Sequence, residues 1–291
     1  MLLTNGYYFG NKKRYETRTA LLPLLFILSN FILTTIQNIK PALAFSIDKI
    51  NDNNYISKFC QSQQFKEVYM QSSLSQLPKL VLLDRDGVIN VDVGSPGVIS
   101  PTQLQLTPDA GIAIGRLNRA GCKVVLVTNQ SCVGKKLITS LELEEIHNEH
   151  FRQLRLQDDD AIIEEIFVCT STRDMGDNRM KPNPGMITEA CATMGVSPED
   201  CIMIGDTLTD MEAAAKGGVP LRILVETGYG LGIMGGRRAP EKDVVCVGGE
   251  TELEKDGQNE ATLFVMKDVT DLIMPFYYVA NLSTAVSWIL G

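Results

Sequence analysis

An alternation of short apolar runs and longer stretches with helical spacing begins at Lys79 and constrains the fold more than any other feature. Each apolar run ends in polar or acidic residues, which is typical of a parallel α/β sheet. The apolar runs predict strands over 80–83, 123–127, 162–169, 201–204, 221–225 and 276–279. The stretches between them predict helices over 108–120, 141–156, 184–194, 210–216 and 281–290. Because the strands are almost continuously apolar, we expect a Rossmann-like three-layer fold with both faces of the sheet covered.

The region over about 230–272 interrupts this alternation. Residues 228–255 are rich in glycine and charged residues and show no periodicity. A long stretch of this composition predicts an exposed loop insertion. We therefore expect one domain over 79–291 that carries this insertion.

The first 44 residues differ in kind from this domain. A basic segment over 12–18 precedes an apolar run over 20–36, and Ala42-Leu43-Ala44 follows with a small-x-small pattern. This order is typical of a cleaved secretory signal peptide. An uncleaved membrane anchor is the alternative, because the apolar run is just long enough to span a bilayer.

Residues 45–78 are rich in Ser, Asn and Gln and show neither helical nor strand periodicity. This composition predicts a low-complexity linker or a second targeting segment. The stretch Ala-Leu-Ala-Phe-Ser over 42–46 resembles the two-part plastid presequences of algae with complex plastids. That resemblance implies a plastid location, with secretion or membrane anchoring as alternatives.

Composition limits the partners of the chain. Its formal net charge of -8 and sequence pI near 4.9 argue against a broad nucleic-acid-binding surface, which would need a clustered basic face. The seven cysteines are scattered and never form a CxxC pair, so neither a disulfide framework nor a compact zinc site is indicated. We expect mostly buried, reduced thiols.

Polar and charged residues follow four of the predicted strands. In chain order, these segments are Asp84-Arg85-Asp86-Gly87, Thr128-Asn129-Gln130-Ser131, Lys181-Pro182-Asn183-Pro184-Gly185 and Gly205-Asp206-Thr207-Leu208-Thr209-Asp210. Ligands of an open parallel sheet bind at the carboxyl ends of its strands. The four segments therefore define the candidate site.

Each segment alone also fits a purely structural interpretation, as a strand-ending turn, a helix cap or a solvated lysine. Their occurrence in this order, each beyond a strand end, favours a shared catalytic site. Asp84 and Asp86 leave a strand into a glycine turn and can both point into one crevice. A divalent cation would offset the repulsion between their carboxylates.

Over about 80–229 the four segments resemble, in order, the motifs of the haloacid dehalogenase-like phosphatase superfamily. The resemblance implies that Asp84 is the nucleophile that forms an aspartyl-phosphate and that Asp86 acts as acid and then base. It also implies that the Thr128 hydroxyl binds the phosphate and that the Lys181 ammonium offsets its charge.

Magnesium is the cofactor that this resemblance implies, because Mg²⁺ prefers hard oxygen ligands. The implied ligands are the carboxylate of Asp84, the main-chain carbonyl of Asp86 and the carboxylate of Asp206. Asp210 lies one helical turn beyond Asp206, where it would sit behind the ligands or support the lysine.

Within the superfamily, the motifs resemble the branch that contains heptose bisphosphate phosphatase and histidinol-phosphate phosphatase. The short stretch between Asn90 and Thr128 leaves no room for a large cap domain. Many members of that branch carry a zinc loop of three cysteines and a histidine before the lysine motif. Here no further Cys or His lies between Cys169 and Lys181, so we predict no structural zinc.

The leading hypothesis is a monomeric, magnesium-dependent phosphatase of a sugar phosphate or bisphosphate, with heptose 1,7-bisphosphate as the named candidate. Histidinol-phosphate phosphatase, nucleic-acid 3'-phosphatase and a noncatalytic phospholigand-binding module are the alternatives. The candidate substrate contacts are Arg85, Asn129, Gln130, Ser131, Lys135 and Arg179, with Lys136 beside them.

The remaining conspicuous residues receive structural interpretations. We expect His147 and His150 to be polar surface positions of a helix, because they are far from any strand end. Trp288 is expected in the core, and Arg222 and the Arg237-Arg238 pair are expected to be solvated charges.

Overall fold

The computed structural model describes residues 77–242, 244–248, 263–265 and 273–291. The predicted presequence over 1–44 and nearly all of the predicted linker over 45–78 lie outside these residues. Among the described residues, every helix is too short or too polar to cross a membrane.

The sheet has eight strands in the order β3-β2-β1-β4-β5-β8-β6-β7. Their bounds are Leu80–Leu83 (β1), Lys123–Asn129 (β2), Glu165–Cys169 (β3), Cys201–Gly205 (β4), Leu221–Val225 (β5), Val245–Gly248 (β6), Leu263–Val265 (β7) and Phe276–Val279 (β8). From β3 through β8 all neighbouring strands are parallel, with β1 in register between β2 and β4. The predicted parallel α/β sheet is confirmed, and the strand that precedes Asp84 is an interior strand with a parallel neighbour on each side.

Helices cover both faces of this sheet. They are Ala110–Arg119 (α1), Ser131–Gly134 (α2), Ser140–Gln157 (α3), Gly185–Met194 (α4), Leu208–Lys216 (α5), Gly230–Ile233 (α6) and Leu282–Leu290 (α7). Within 77–242, the connection from Asn90 to β2 holds only loops, a one-turn 3-10 helix at Pro101–Gln103 and α1. No large cap domain is inserted there, as the sequence predicts.

The two faces of β1 belong to two separate hydrophobic cores. Leu80 and Leu82 pack into one core, whereas Val81 and Leu83 pack into the other, and all four are fully buried. Alternate side chains of a strand point to opposite faces, so a continuous apolar run fits a sheet that is covered on both sides. Truncating Leu82 to alanine would cost about 2–5 kcal/mol of stability.

Local signals set the bounds of the helices that flank the site. α3 begins after Thr139, whose side chain and main chain form a reciprocal capping box with Glu142. α4 ends at Gly195, which adopts a left-handed conformation with a φ of 65°.

The predicted loop insertion over 230–272 is wrong for the part that the structure describes. This part contains α6 and the edge strands β6 and β7, and β6 pairs antiparallel with β8. Val244-Val245-Cys246-Val247 is an apolar, β-branched run that favours a strand. The surrounding glycines and charges hid this short signal.

The predicted surface positions of His147 and His150 are also wrong, since both side chains are buried. They lie on the face of α3 that carries Ile146 and Leu154, so the helical period places them inward. Arg222 is likewise buried rather than solvated. Its guanidinium donates hydrogen bonds to the main-chain oxygens of Val219 at 2.7 Å and Pro275 at 3.0 Å.

The buried histidines predict an acid-sensitive fold. Burial, together with the positive charge of Arg85, lowers the pKa of His150 to about 3 and that of His147 to about 4. Below the ordinary histidine pKa of about 6.5, the unfolded chain takes up protons that the folded chain does not, so stability falls as pH falls from 6.5 toward 4. His150→Leu should reduce that loss by on the order of 2 kcal/mol in urea unfolding.

Leu154→Ala is the matched control, because it damages the same buried face of α3 without removing a titratable group. It should lower stability equally at pH 7 and pH 4.5. A pH dependence in His150→Leu identical to that of wild type would contradict the prediction.

Candidate active site

The four polar segments that the sequence analysis singled out meet at the carboxyl edge of the sheet. Asp84 directly follows β1, and its amide donates to the main-chain oxygen of Ile204 in β4 at 3.0 Å. Thr128 lies near the end of β2, and Asp206 directly follows β4. Because β1 lies between β2 and β4, these strand ends are neighbours.

Three carboxylates form the centre of this site. Asp84, Asp206 and Asp210 each place one carboxylate oxygen within 4.8 Å of the others. The Lys181 ammonium lies 2.9 Å from Asp84 Oδ1 and 2.6 Å from Asp210 Oδ1. One ammonium among three carboxylates leaves two negative charges without a partner inside this cluster when all groups are ionised.

This charge imbalance shifts the pKa values of the cluster. Burial, and less strongly the repulsion from Asp210 and Asp86, raises the pKa of Asp84 to about 6 despite the nearby Lys181. Burial, followed by repulsion from Asp84 and Asp210, raises the pKa of Asp206 to about 8. Burial opposes the charged form of Lys181, but its ion pairs with Asp210 and Asp84 outweigh burial and raise its pKa.

Lys181 is held in place at both ends. Its ammonium also donates to the main-chain oxygen of Val127 at 2.9 Å. Its main-chain N–H donates to Asn129 Oδ1, and its main-chain oxygen accepts from Asn129 Nδ2, each at 3.1 Å. Asn129, predicted to contact substrate, therefore fixes the loop that carries Lys181.

Asp210 supports the lysine from the first turn of α5. Its Oδ2 accepts hydrogen bonds from the amide of Thr207 at 3.0 Å and from the Thr207 hydroxyl at 2.6 Å. The other oxygen faces Lys181. This arrangement matches the predicted supporting position for Asp210.

The carboxylate of Asp206 packs against the backbone of Gly87 and of Gly228. A Cβ would lie 2.2 Å from Asp206 Oδ2 if added to Gly87 and 2.0 Å if added to Gly228, so a side chain at either position would clash with this carboxylate. Both glycines also have positive φ. Tyr229 donates its amide to the same oxygen at 2.9 Å. Gly228 and Tyr229 follow β5, a strand end that lies outside the four candidate segments. They carry no reactive side chain of the kind that marks those segments, but a glycine just beyond a strand end is a signal that could have identified this position.

Asp86 lies outside the carboxylate cluster. Its carboxylate accepts hydrogen bonds from Arg85 Nη2 at 2.9 Å, Asn90 Nδ2 at 2.9 Å and Gln130 Nε2 at 2.8 Å. Burial would raise the pKa of Asp86, but the charge of Arg85 and these hydrogen bonds outweigh burial and lower it. These contacts favour the ionised form of the carboxylate and fix its orientation.

The other predicted substrate contacts lie in different environments. Arg85 and Gln130 are buried and face Asp86, so the structure does not support a direct contact of either with substrate. Ser131 is the first residue of α2, and Lys135 is exposed immediately after that helix. Arg179 is partly exposed and lies 2.9 Å from Glu189 through its Nε.

The loop after β3 is organised by one carboxylate. Asp177 Oδ2 accepts from Ser171 Oγ at 2.6 Å and from Cys169 Sγ at 3.6 Å, while its Oδ1 accepts from the amide of Arg179 at 2.8 Å. Asn183 Nδ2 donates to the main-chain oxygen of Asp177 at 3.2 Å. These hydrogen bonds stabilise the loop that contains Arg179 and leads to Lys181.

The model of the haloacid dehalogenase-like hydrolase family matches residues 35–218, and a HAD-hydrolase-like model matches residues 178–272. Two similar proteins are the D-glycero-beta-D-manno-heptose-1,7-bisphosphate 7-phosphatases of Bordetella bronchiseptica and of Neisseria meningitidis serogroup A. The former is 36% identical over 58% of this chain and 92% of its own length. The latter is 33% identical over 56% of this chain and 86% of its own length.

A solved structure is similar to a large part of the chain. The crystal structure of D,D-heptose 1,7-bisphosphate phosphatase from B. bronchiseptica, complexed with magnesium and phosphate, matches with a TM-score of 0.55 and 29% identity. The match covers 73% of this chain and 98% of that chain. From the matched family model and these relatives, together with the four motifs at one edge of the sheet, we conclude that the chain belongs to the haloacid dehalogenase-like hydrolase family.

Proposed function

We propose that this protein is a magnesium-dependent phosphatase that removes one phosphate from a sugar bisphosphate through an aspartyl-phosphate on Asp84. The observation that carries this proposal is the position of the Asp84 carboxylate. It lies among Asp206 and Asp210 at the carboxyl edge of the sheet, with the Lys181 ammonium 2.9 Å from its Oδ1.

The donor set of the site fits a magnesium ion. Carboxylate oxygens are the hard ligands that Mg²⁺ prefers, and a divalent cation would balance the two negative charges that Lys181 leaves without a partner. Both carboxylate oxygens of Asp210 are engaged, Oδ1 by Lys181 and Oδ2 by Thr207, so Asp84 and Asp206 would hold the ion. The main-chain carbonyl of Asp86 remains a predicted third ligand. When bound, the cation supplies positive charge beside the phosphate and keeps both aspartates ionised at neutral pH.

The two carboxylate oxygens of Asp84 differ in their contacts. Its Oδ1 is held by Lys181 and by the amide of Arg85 at 2.7 Å, so we assign the attack to Oδ2. In the first step, the bond from Oδ2 to phosphorus forms while the bond from phosphorus to the leaving oxygen breaks. The negative charge of a bound phosphate favours protonation of Asp86 and so opposes the lowering of its pKa by Arg85. Protonated Asp86 gives its proton to the leaving oxygen and becomes a carboxylate.

In the second step a water molecule attacks phosphorus and the bond to Asp84 breaks, which releases inorganic phosphate. The carboxylate of Asp86 takes a proton from that water and returns to its starting form. Thr128 contributes a hydroxyl that can donate to a phosphate oxygen.

A sugar bisphosphate is the substrate class that the comparisons favour, because the two named relatives are heptose 1,7-bisphosphate 7-phosphatases. A second phosphate would require cationic groups at the mouth of the site. Arg179 precedes the buried Lys181 by two residues, a span of at most about 7 Å along the chain, and is partly exposed. Lys135 and Lys136 are exposed after α2.

The activity can be tested with the domain over 77–291 and a panel of heptose 1,7-bisphosphate, other sugar phosphates, histidinol phosphate and a 3'-phosphorylated oligonucleotide. We expect phosphate release that needs Mg²⁺, stops with EDTA and falls at least about 10³-fold in Asp84→Asn, because the nucleophile is lost. Heptose 1,7-bisphosphate should have the highest kcat/KM.

Asp159→Asn removes an exposed carboxylate and serves as the control for loss of one negative charge. Phosphate release that persists in Asp84→Asn would sink the proposed mechanism. Tight magnesium-dependent binding without release would instead support a phospholigand-binding module.

Metal binding should be visible in stability. Without metal at pH 8, Asp206→Asn should raise Tm, by about 2–4 °C for each kcal/mol gained, because it removes a carboxyl whose folded-state pKa lies above its unfolded value. The same variant should lose the rise in Tm that Mg²⁺ gives wild type. Thermal scans with and without Mg²⁺ measure both effects, and a wild-type magnesium response in Asp206→Asn would refute the assignment.

Recognition of the second phosphate should depend on Arg179. Arg179→Ala should raise KM for heptose 1,7-bisphosphate about 10- to 100-fold while changing KM for the corresponding 7-phosphate little, since a charge-assisted hydrogen bond is worth about 1.5–3 kcal/mol. Glu189→Gln breaks the ion pair of Arg179 but keeps the guanidinium. Equal KM increases in the two variants would indicate that Arg179 acts through loop structure and not through the phosphate.

A further inference from the structure

Arg85 stands between Asp84 and Asp86 in the sequence, and its cationic side chain is buried. Its side chain has 0% exposure and is the largest of the fully buried side chains among the described residues. A charged side chain is almost never fully buried without a partner. Because it has no exposed surface, Arg85 can affect the reaction through its neighbours or through the field of its charge, but not by direct contact with substrate.

Asp86 is the carboxylate that pairs with Arg85 in the described part of the chain. Nη2 of Arg85 lies 2.9 Å from Asp86 Oδ2 and 3.1 Å from Oδ1, and Nε lies 3.4 Å from Oδ1. The planar fork of a guanidinium fixes the plane of a carboxylate that it contacts at two oxygens. Arg85 therefore determines how the Asp86 carboxylate is turned.

Gln130 extends this arrangement to Thr128. Its Oε1 accepts from Arg85 Nη2 at 2.9 Å, and its Nε2 donates to Asp86 Oδ2 at 2.8 Å and to Thr128 Oγ1 at 3.0 Å. Thr128 Oγ1 thus acts as an acceptor toward Gln130. Its own hydrogen is left to donate elsewhere, which suits a hydroxyl that is to bind a phosphate oxygen.

We propose that Arg85, through its contacts with Asp86 and Gln130, is a positioning residue that orients the Asp86 carboxylate for proton transfer to the leaving oxygen. The proposal rests on the proposed phosphatase function and assigns Arg85 a role other than substrate contact. The proton moves from Asp86 to the leaving oxygen as the bond between phosphorus and that oxygen breaks and the bond to Asp84 forms.

A positioning role makes a specific kinetic prediction. Protonation of the leaving oxygen matters most when that oxygen is basic, as in an alkyl or sugar phosphate, and matters little for a nitrophenolate. A variant with a misplaced Asp86 should therefore lose activity selectively toward alkyl phosphates. General damage to the fold or to phosphate binding would lower both activities together.

The test compares kcat/KM for glycerol 2-phosphate and for 4-nitrophenyl phosphate in the full chain with Mg²⁺, because kcat/KM reports the steps through departure of the leaving oxygen and not the later hydrolysis that both esters share. Arg85→Lys keeps the charge but not the fork, and we expect kcat/KM to fall about 10- to 100-fold with the alkyl ester and less than about threefold with the aryl ester. Arg85→Met should show a larger selective loss. If Arg85→Met does not fold, as judged by its thermal transition, Arg85→Lys decides the question.

Arg222→Lys is the matched control, because it replaces another buried arginine whose guanidinium donates to main-chain oxygens. It should leave the ratio of the two activities unchanged. Asp86→Asn should show the same selectivity as the Arg85 variants. Equal losses for both esters, or no loss, in Arg85→Lys would overturn the positioning role, whereas a wild-type enzyme inactive on every phosphate ester would refute the proposed function itself.

Discussion

The ion pairs of Lys181 with Asp84 and Asp210 are the interaction on which the site depends. They hold one ammonium between a residue that follows β1 and a residue in the first turn of α5. Burial of such a group is unfavourable unless its charge is matched and its hydrogen bonds are made. Asn129 holds the backbone of Lys181, and the main-chain oxygen of Val127 accepts a hydrogen bond from its ammonium. Thr207 donates a hydrogen bond to Asp210. The loop after β3 must therefore close onto the ends of β1 and β4 for the site to exist.

The same arrangement explains why the site is suited to a divalent cation. Lys181 neutralises one of three carboxylates, and burial raises the pKa values of Asp84 and Asp206. A nucleophile must be ionised to attack, so the protein without a cation would hold part of its Asp84 in the unreactive form near neutral pH. Adding positive charge favours the ionised forms and removes the repulsion between them. The chemistry and the stability of this edge of the sheet are therefore coupled.

The strand ends could be predicted from sequence because an apolar run followed by Asp, Thr or Gly has a simple meaning in a parallel sheet. Asp84, Thr128 and Asp206 were found in this way, and the structure brings them to one edge. The polar character of His147 and His150 suggested solvent, although the helical period that they share with Ile146 and Leu154 places them on the buried face of α3. The burial of Arg85 could not be predicted from the sequence, because it depends on the contacts that Arg85 makes with Asp86 and Gln130 in the folded protein.

Two separate charge networks surround the two aspartates of the first motif. Lys181 contacts Asp84, whose pKa is raised, whereas Arg85 contacts Asp86, whose pKa is lowered. The proposed nucleophile and the proposed acid-base residue are two positions apart, yet each has its own cation and its own hydrogen-bond partners. A lysine is a compact point charge that can serve Asp84 and Asp210 at once, while the planar fork of an arginine fixes the orientation of one carboxylate. In the proposed reaction Lys181 balances charge and Arg85 sets orientation, and this division would let neighbouring aspartates perform different tasks.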